Sequence, residues 1–200
     1  MTTTTLPRVL VTDDGMPVVA VDGLSTGVLI HDADLATLVD RAGAAAVPVA
    51  VDIDSIRGLK ADEASLTFVV RALGAAIVIT RRRALAERAT EMGVVGLQSA
   101  QAFDSTGLRR SLPSGGTTVR AGTVVTPGLV VPHLRQEELD RLPRPVVAHG
   151  LIVRPADALA CLARADAIVL RPDAARFLAA SLAGRPASAP PVLTSIAIEE

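Results

Sequence analysis

Short apolar runs alternate along this chain with longer stretches whose apolar residues recur three or four positions apart. GVLI, just before His31, leads into LATLVDRAGAA, and VPVAVDID leads into KADEASLTFVVRAL. AAIVITR is followed by RRALAERATEMG, VVGLQSA by the mixed stretch FDSTGLRRSL, and GTVVTPG by VPHLRQEELDRL. RPVVAHG then precedes RPADALACLARA, and DAIVLRP precedes DAARFLAASLAG. A continuous apolar run suits a strand covered on both faces, whereas the longer period suits a one-sided helix. Strands alternating with helices this regularly predict a parallel sheet with helical crossovers. Gly43, Gly74 and Gly93 fall near the predicted helix ends, where a left-handed C-terminal cap is wanted.

The number of units is close to that of a TIM-type (β/α)8 barrel, and 200 residues sits at the short end of that fold's range. A doubly wound open sheet is the structural alternative. No GxGxxG or GxxxxGK[ST] follows any strand, which counts against a nucleotide-binding version. The front of the chain departs from the pattern. Between VLVTDD and VLIHD there is little room for a crossover helix, and MPVVAVDGLSTG reads as an extra strand and turns. The first βα unit is therefore expected to be degraded. One barrel domain is expected over residues 1–183, with a Pro/Ala-rich tail over 184–200.

Composition adds mainly exclusions. A net charge of -1 and a pI near 6.3 give no global basic field, and Lys60 is the only lysine among many arginines. Cys161 is the only cysteine, so no intrachain disulfide forms and a cysteine-based metal site is not expected. That usage fits a reducing cytoplasm. The start, MTTTTLPRVLVTDDG, lacks a basic segment followed by an apolar one, and no later run is long enough to span a bilayer. A soluble cytoplasmic protein without membrane partners is expected.

In a parallel barrel the C-terminal strand ends converge on one face. The polar residues predicted there are His31 and Asp32, Asp52 and Asp54, Thr80 and Arg81, Gln98, Thr126, His149 and Gly150, and Arg171. Together they define a small hydrophilic pocket. Strand alternation sends Asp52 and Asp54 to the same side.

These residues carry a resemblance. DIDSIRGLKADEASLTFVV resembles the signature of the glycerol-3-phosphate responsive antiterminator family. AIVITRRRALAERATEMGVVGLQSAQAFDSTGL is similar to that family's next block, with a Thr-Arg strand end, a hydrophobic-Gln strand and the pair Asp104 and Ser105. TPGLVVPHL and RPVVAHGLIVRPADALACLARADAIVLRPDAARF resemble its Pro-Gly block and its last two βα units. The resemblance implies a TIM-type barrel with a glycerol-3-phosphate site at the C-terminal strand ends. It also implies antitermination through the leader RNA of glycerol-use genes. Asp54, Thr80, Gln98, Asp104, Pro127, Gly128 and Gly150 match its pattern. Asp52 stands where the family usually has histidine, Ser99 where it has arginine, Val124 where it has glutamate, and His149-Gly150 where it has Gly-Gly. The Thr/Ser-rich phosphate loop after the last strand reads LRPD here, which leaves Arg171 as the candidate phosphate contact.

The ligand-binding set expected from residues and resemblance together is Asp52, Asp54, Thr80, Gln98, Pro127, Gly128, His149, Gly150 and Arg171, for glycerol-3-phosphate or a related small phosphorylated ligand. Arg81, Arg82 and Arg83 form the strongest basic cluster and are the candidate RNA contacts. Against RNA stands the aromatic content, three phenylalanines with no tyrosine or tryptophan. No catalytic residue, cofactor or metal is assigned. His31 and His149 end strands, but scattered histidines are more often structural, and no HExxH, nucleophile elbow or Cys-His pair is present. The favoured reading is a non-enzymatic regulator. Its alternative is a TIM-barrel enzyme or degenerate ligand-binding barrel using the strand-end carboxylates. Whether the chain forms a homo-oligomer is left open.

Overall fold

The computed structural model describes residues 5–13, 15, 18–102, 108 and 120–184. Eight strands form a closed barrel in chain order: β1 (Val9–Thr12), β2 (Thr26–Ile30), β3 (Val49–Asp52), β4 (Ile77–Thr80), β5 (Val95–Gln101), β6 (Gly122–Thr126), β7 (Val146–His149) and β8 (Ala167–Leu170). Every neighbouring pair is parallel, and β8 returns to β1 through Val9↔Ile168 and Leu10↔Val169. The predicted TIM-type barrel is the observed fold.

The uninterrupted apolar runs have a direct structural cause. Leu10, Leu29, Ala50, Ile79, Leu97 and Val169 point inward and fill the barrel. Their neighbours Val9, Val28, Val51, Val78 and Ile168 point outward into two clusters beneath the helices. Both faces of each strand are dry, so both residue parities must be apolar until the strand reaches the mouth. From there on, inward parity alone decides which polar side chains face the cleft.

The described helices are α1 (Leu35–Ala44), α2 (Glu63–Thr67), α3 (Arg83–Glu91), α4 (Gln136–Asp140), α5 (Pro155–Leu162) and α6 (Pro172–Leu182). Asp34 and Asp62 cap α1 and α2 by accepting the N–H groups of Thr37 and Ser65 at 2.8 and 3.0 Å. Each such cap contributes about 1 kcal/mol. Beyond Thr67 the helix widens into a π turn over Phe68–Ala72. Gly74 and Gly93 have the left-handed φ expected of them, +68° and +90°, whereas Gly43 lies inside α1.

Between β1 and β2 no helix occurs among the described residues, as the degraded first unit predicts. A turn closed by the antiparallel bridge Val21↔Leu24 takes its place, with Val18 and Val19 packed on the core. Arg8 ties this end of the chain to the last units. Its guanidinium donates to the carbonyls of Leu162, Ala165 and Asp166 at 2.9, 3.3 and 2.8 Å. On the opposite side, β5 presses on α3 so closely that a Cβ at Gly96 would overlap the Ala86 carbonyl oxygen. That contact fixes α3 and, through it, the loop carrying Arg81 and Arg82.

No described helix is long and apolar enough to cross a membrane. Within the stretch expected to be a short helix at best, residues 103–112, only Leu108 is among the described residues, and it is buried. The tail from residue 185 onward lies outside the described residues.

Candidate functional site

The C-terminal strand ends surround a cleft of about 360 Å³ lined by Asp32, Asp52, Asp54, Ser55, Arg81, Ser99, Gln101, Thr126 and His149. Asp52 is the last residue of β3 and shares inward parity with Ala50. The chain then turns through a 3-10 segment, Ile53–Ser55, nucleated when Asp52 Oδ1 accepts the Asp54 N–H at 3.2 Å. Ser55 Oγ donates to the Asp52 carbonyl at 2.9 Å and accepts the Asp32 N–H at 3.0 Å, linking the ends of β2 and β3. Asp32 sits at a φ of +50°, a left-handed conformation aspartate tolerates better than most residues. Arg57 steadies it from outside by donating to its carbonyl at 3.3 Å.

Charge in the cleft is lopsided. Among the described residues that line it, Asp32, Asp52 and Asp54 supply three carboxylates, while Arg81 supplies the one guanidinium. Arg81 is committed to Asp54, whose Oδ2 accepts the Arg81 backbone N–H at 2.5 Å and lies 3.9 Å from its Nε. Burial, followed by the nearby charge of Asp54, pushes Asp52 up from 3.8 to about 6. Burial, followed by the charge of His31, pushes His149 down from 6.5 to about 4. At neutral pH His149 is therefore an uncharged imidazole. His31 packs edge-on against it, with ring centroids 6.1 Å apart and planes at 78°. His31 Nδ1 lies 2.8 Å from Asp32 Oδ2, so in its neutral form a proton on Nδ1 leaves Nε2 as the acceptor.

The expected ligand-binding residues divide by parity. Asp52, Asp54 and His149 line the cleft. Thr80 and Gln98 do not: they pair with each other in register on adjacent strands, and inward-facing Ile79 and Leu97 immediately precede them. Thr80 is fully buried behind the wall, its Oγ1 accepting the Arg82 N–H at 3.1 Å. The cleft positions on β5 are Ser99 and Gln101, two and four residues beyond Leu97. Counting inward parity from Leu97 identifies both.

Pro127, Gly128 and Gly150 build the β6–β7 side of the mouth through backbone. Gly128 N–H donates to the Gly150 carbonyl at 3.1 Å, and Gly150 has a φ of +91°. A Cβ on Gly128 would overlap the His149 backbone nitrogen, so only glycine lets this segment lie against β7. Arg171 follows β8 with an exposed side chain, its Nε 3.5 Å from Asp173 Oδ1. In the arginine run, Arg83 pairs with Glu87 at 3.1 Å and Arg81 with Asp54, whereas Arg82 has no carboxylate within ion-pair distance among the described residues. Asp104 and Ser105 lie outside the described residues. No group of three or more His, Cys, Asp or Glu among the described residues is placed to hold a metal ion.

Comparison with known proteins gives three findings. The family described as glycerol-3-phosphate responsive antiterminator matches residues 23–170. No curated protein matches the chain. Among solved structures, a glycerol uptake operon antiterminator-related protein from Thermotoga maritima superposes with a TM-score of 0.64 at 22% identity, over 88% of this chain and 99% of its own. The glycerol uptake operon antiterminator regulatory protein from Listeria monocytogenes gives 0.60 at 20% identity, over 71% and 78%. At such identities the two structures establish a shared barrel fold.

Proposed function

This chain belongs to the glycerol-3-phosphate responsive antiterminator family, and from that premise we propose that it is a cytoplasmic, ligand-responsive regulator of transcription. In this reading the barrel mouth binds a small phosphorylated polyol, and the arginine run contacts the leader RNA of glycerol-use genes. The observation that carries the reading is the polar cleft at the C-terminal mouth, present in a chain whose family is defined by response to glycerol-3-phosphate.

Asp52, Asp54 and His149, with Thr126, Ser99 and Gln101, offer acceptors and donors suited to polyol hydroxyls. Gly128 and Gly150 shape the β6–β7 wall, while Thr80 and Gln98 stand behind the β4–β5 wall. Arg171 supplies the exposed guanidinium for the phosphate, in competition with Asp173. For RNA, the relevant feature is the position of Arg81, Arg82 and Arg83 at the start of α3. Cations at a helix N-terminus oppose the helix dipole; Arg83 and Arg81 are engaged by Glu87 and Asp54, which leaves Arg82 the member of the run best placed for an RNA phosphate.

Calorimetry with glycerol-3-phosphate on the protein and on Arg171→Ala tests the ligand half. Loss of one charge-assisted contact is worth about 1.5–3 kcal/mol, or roughly tenfold or more in affinity. Binding that survives the substitution unchanged removes Arg171 from the site. For the RNA half, replacing Arg81, Arg82 and Arg83 with alanine is expected to lower the slope of log K against log salt by up to about 2, at about 0.7 per single-strand phosphate contact. An unchanged slope excludes the run. If neither ligand nor RNA binds, weight moves to an enzymatic or degenerate ligand-binding barrel, for which the His31–Asp32 pair beside Asp52 would be the place to look.

A further inference from the structure

With Arg171 at the rim after β8 assigned to the phosphate, a phosphorylated ligand entering the cleft meets more negative charge than positive among the described residues that line it. On β3 and its turn are Asp52 and Asp54, and at the end of β2 are Asp32 and His31. From β7 comes His149, half-buried and uncharged at neutral pH. From β4 comes Arg81, already held by Asp54. Arg57, which also approaches Asp32, has its guanidinium beside Asp34 at 3.9 Å. Ser55, Ser99, Gln101 and Thr126 carry no charge. Among the described residues Asp52 is thus a half-buried carboxylate whose side chain accepts one hydrogen bond, from Asp54 N–H at 3.2 Å, with no cation within ion-pair distance.

An ionised Asp52 is well placed to accept hydroxyl protons from a neutral polyol, and badly placed to share the mouth with a phosphate dianion, even one whose outer oxygens are held by Arg171. A protonated Asp52 reverses both statements, since it repels no anion and can donate to a phosphate oxygen. Resting on the polyol-site reading above, we propose that Asp52 is the specificity-determining residue of the mouth, admitting phosphorylated polyols with uptake of one proton and neutral polyols without it. The mouth thereby discriminates by ligand charge as well as by shape, and discrimination shifts with pH.

The sign follows from linkage. Asp52 titrates near pH 6 in the empty protein, so above that pH each unit makes the protonated form about tenfold rarer and anion binding about tenfold weaker. Binding of glycerol, which needs no proton on Asp52, lacks this dependence. A phosphate monoester has its own second ionisation near pH 6, so wild type alone does not isolate the residue. Asp52→Asn does, because the ligand ionises alike with both proteins and the amide oxygen still accepts the Asp54 N–H.

The test is calorimetric titration of wild type and Asp52→Asn with glycerol-3-phosphate and with glycerol at pH 6 and pH 8. The variant is expected to bind glycerol-3-phosphate at least about tenfold tighter than wild type at pH 8, to match it within about threefold at pH 6, and to bind glycerol more weakly at both. Should the variant not fold, wild type titrated at pH 7.5 in two buffers of different ionisation enthalpy still reports proton uptake, expected to be about one per glycerol-3-phosphate. Equal affinity of both proteins at pH 8, or no proton uptake, overturns the proposal while leaving the polyol-site reading intact. Absence of binding by both ligands at either pH overturns that reading and this inference with it.

Discussion

Asp52 and His149 perturb folding stability in opposite directions over the same pH range, and a single substitution should expose what wild type conceals. Asp52 holds its proton more tightly in the folded chain than in the unfolded one, at about 6 against 3.8. Between these values the folded state binds more protons, so stability falls as pH rises. The full displacement corresponds to about 3 kcal/mol. His149 binds its proton less tightly when folded, at about 4 against 6.5. Between those values the unfolded state binds more protons, so stability rises with pH, again by about 3 kcal/mol. From pH 4 to pH 6 the two slopes nearly cancel. Asp52→Asn removes the falling one and keeps the Asp54 N–H acceptor, so the variant should gain up to about 3 kcal/mol over wild type at pH 7 and lose the gain by pH 4. His149→Gln should do the reverse, with stability declining as pH rises through this range. Urea denaturation at half-unit intervals from pH 4 to pH 7.5 reads both. Parallel profiles for wild type and Asp52→Asn would mean that Asp52 titrates normally and that its burial carries no electrostatic penalty.

Two further predictions concern the frame around the site. Arg8→Ala removes three hydrogen bonds that join the start of β1 to the carbonyls before β8. Part of that loss is recovered by water, so about 2–3 kcal/mol is expected, seen as a lower urea midpoint with an unchanged slope; a cost below about 0.5 kcal/mol would show that the seam closes without it. The Cys161 thiol is buried and pushed up by burial to about 11, so it should resist thiol-specific reagents at pH 8 until the chain is unfolded. Rapid native labelling would indicate that α5 opens locally.

The fold was legible because a parallel barrel writes itself into both residue parities. Val9 and Leu10, or Val78 and Ile79, are equally apolar though they face different layers. The same feature hides the site. With both parities apolar, nothing in the run itself tells which polar residue at its end will point inward, so reading the first polar residue after each run selects by position along the strand. On β3 that rule finds Asp52, which has inward parity. On β4 and β5 it finds Thr80 and Gln98, which face the helices, because β5 continues to Gln101 before it reaches the mouth. Parity has to be carried from a residue known to lie inside, and Leu97 serves once the barrel is closed. Applied to β5, the correction brings Ser99 and Gln101 into the cleft. Ser99 occupies the position at which the family resemblance leads one to expect arginine. With a serine there, Arg81 is the one guanidinium among the described residues lining the cleft, already engaged by Asp54. The half-buried Asp52 therefore has no cation within ion-pair distance among the described residues, and burial, followed by the charge of Asp54, raises its proton affinity.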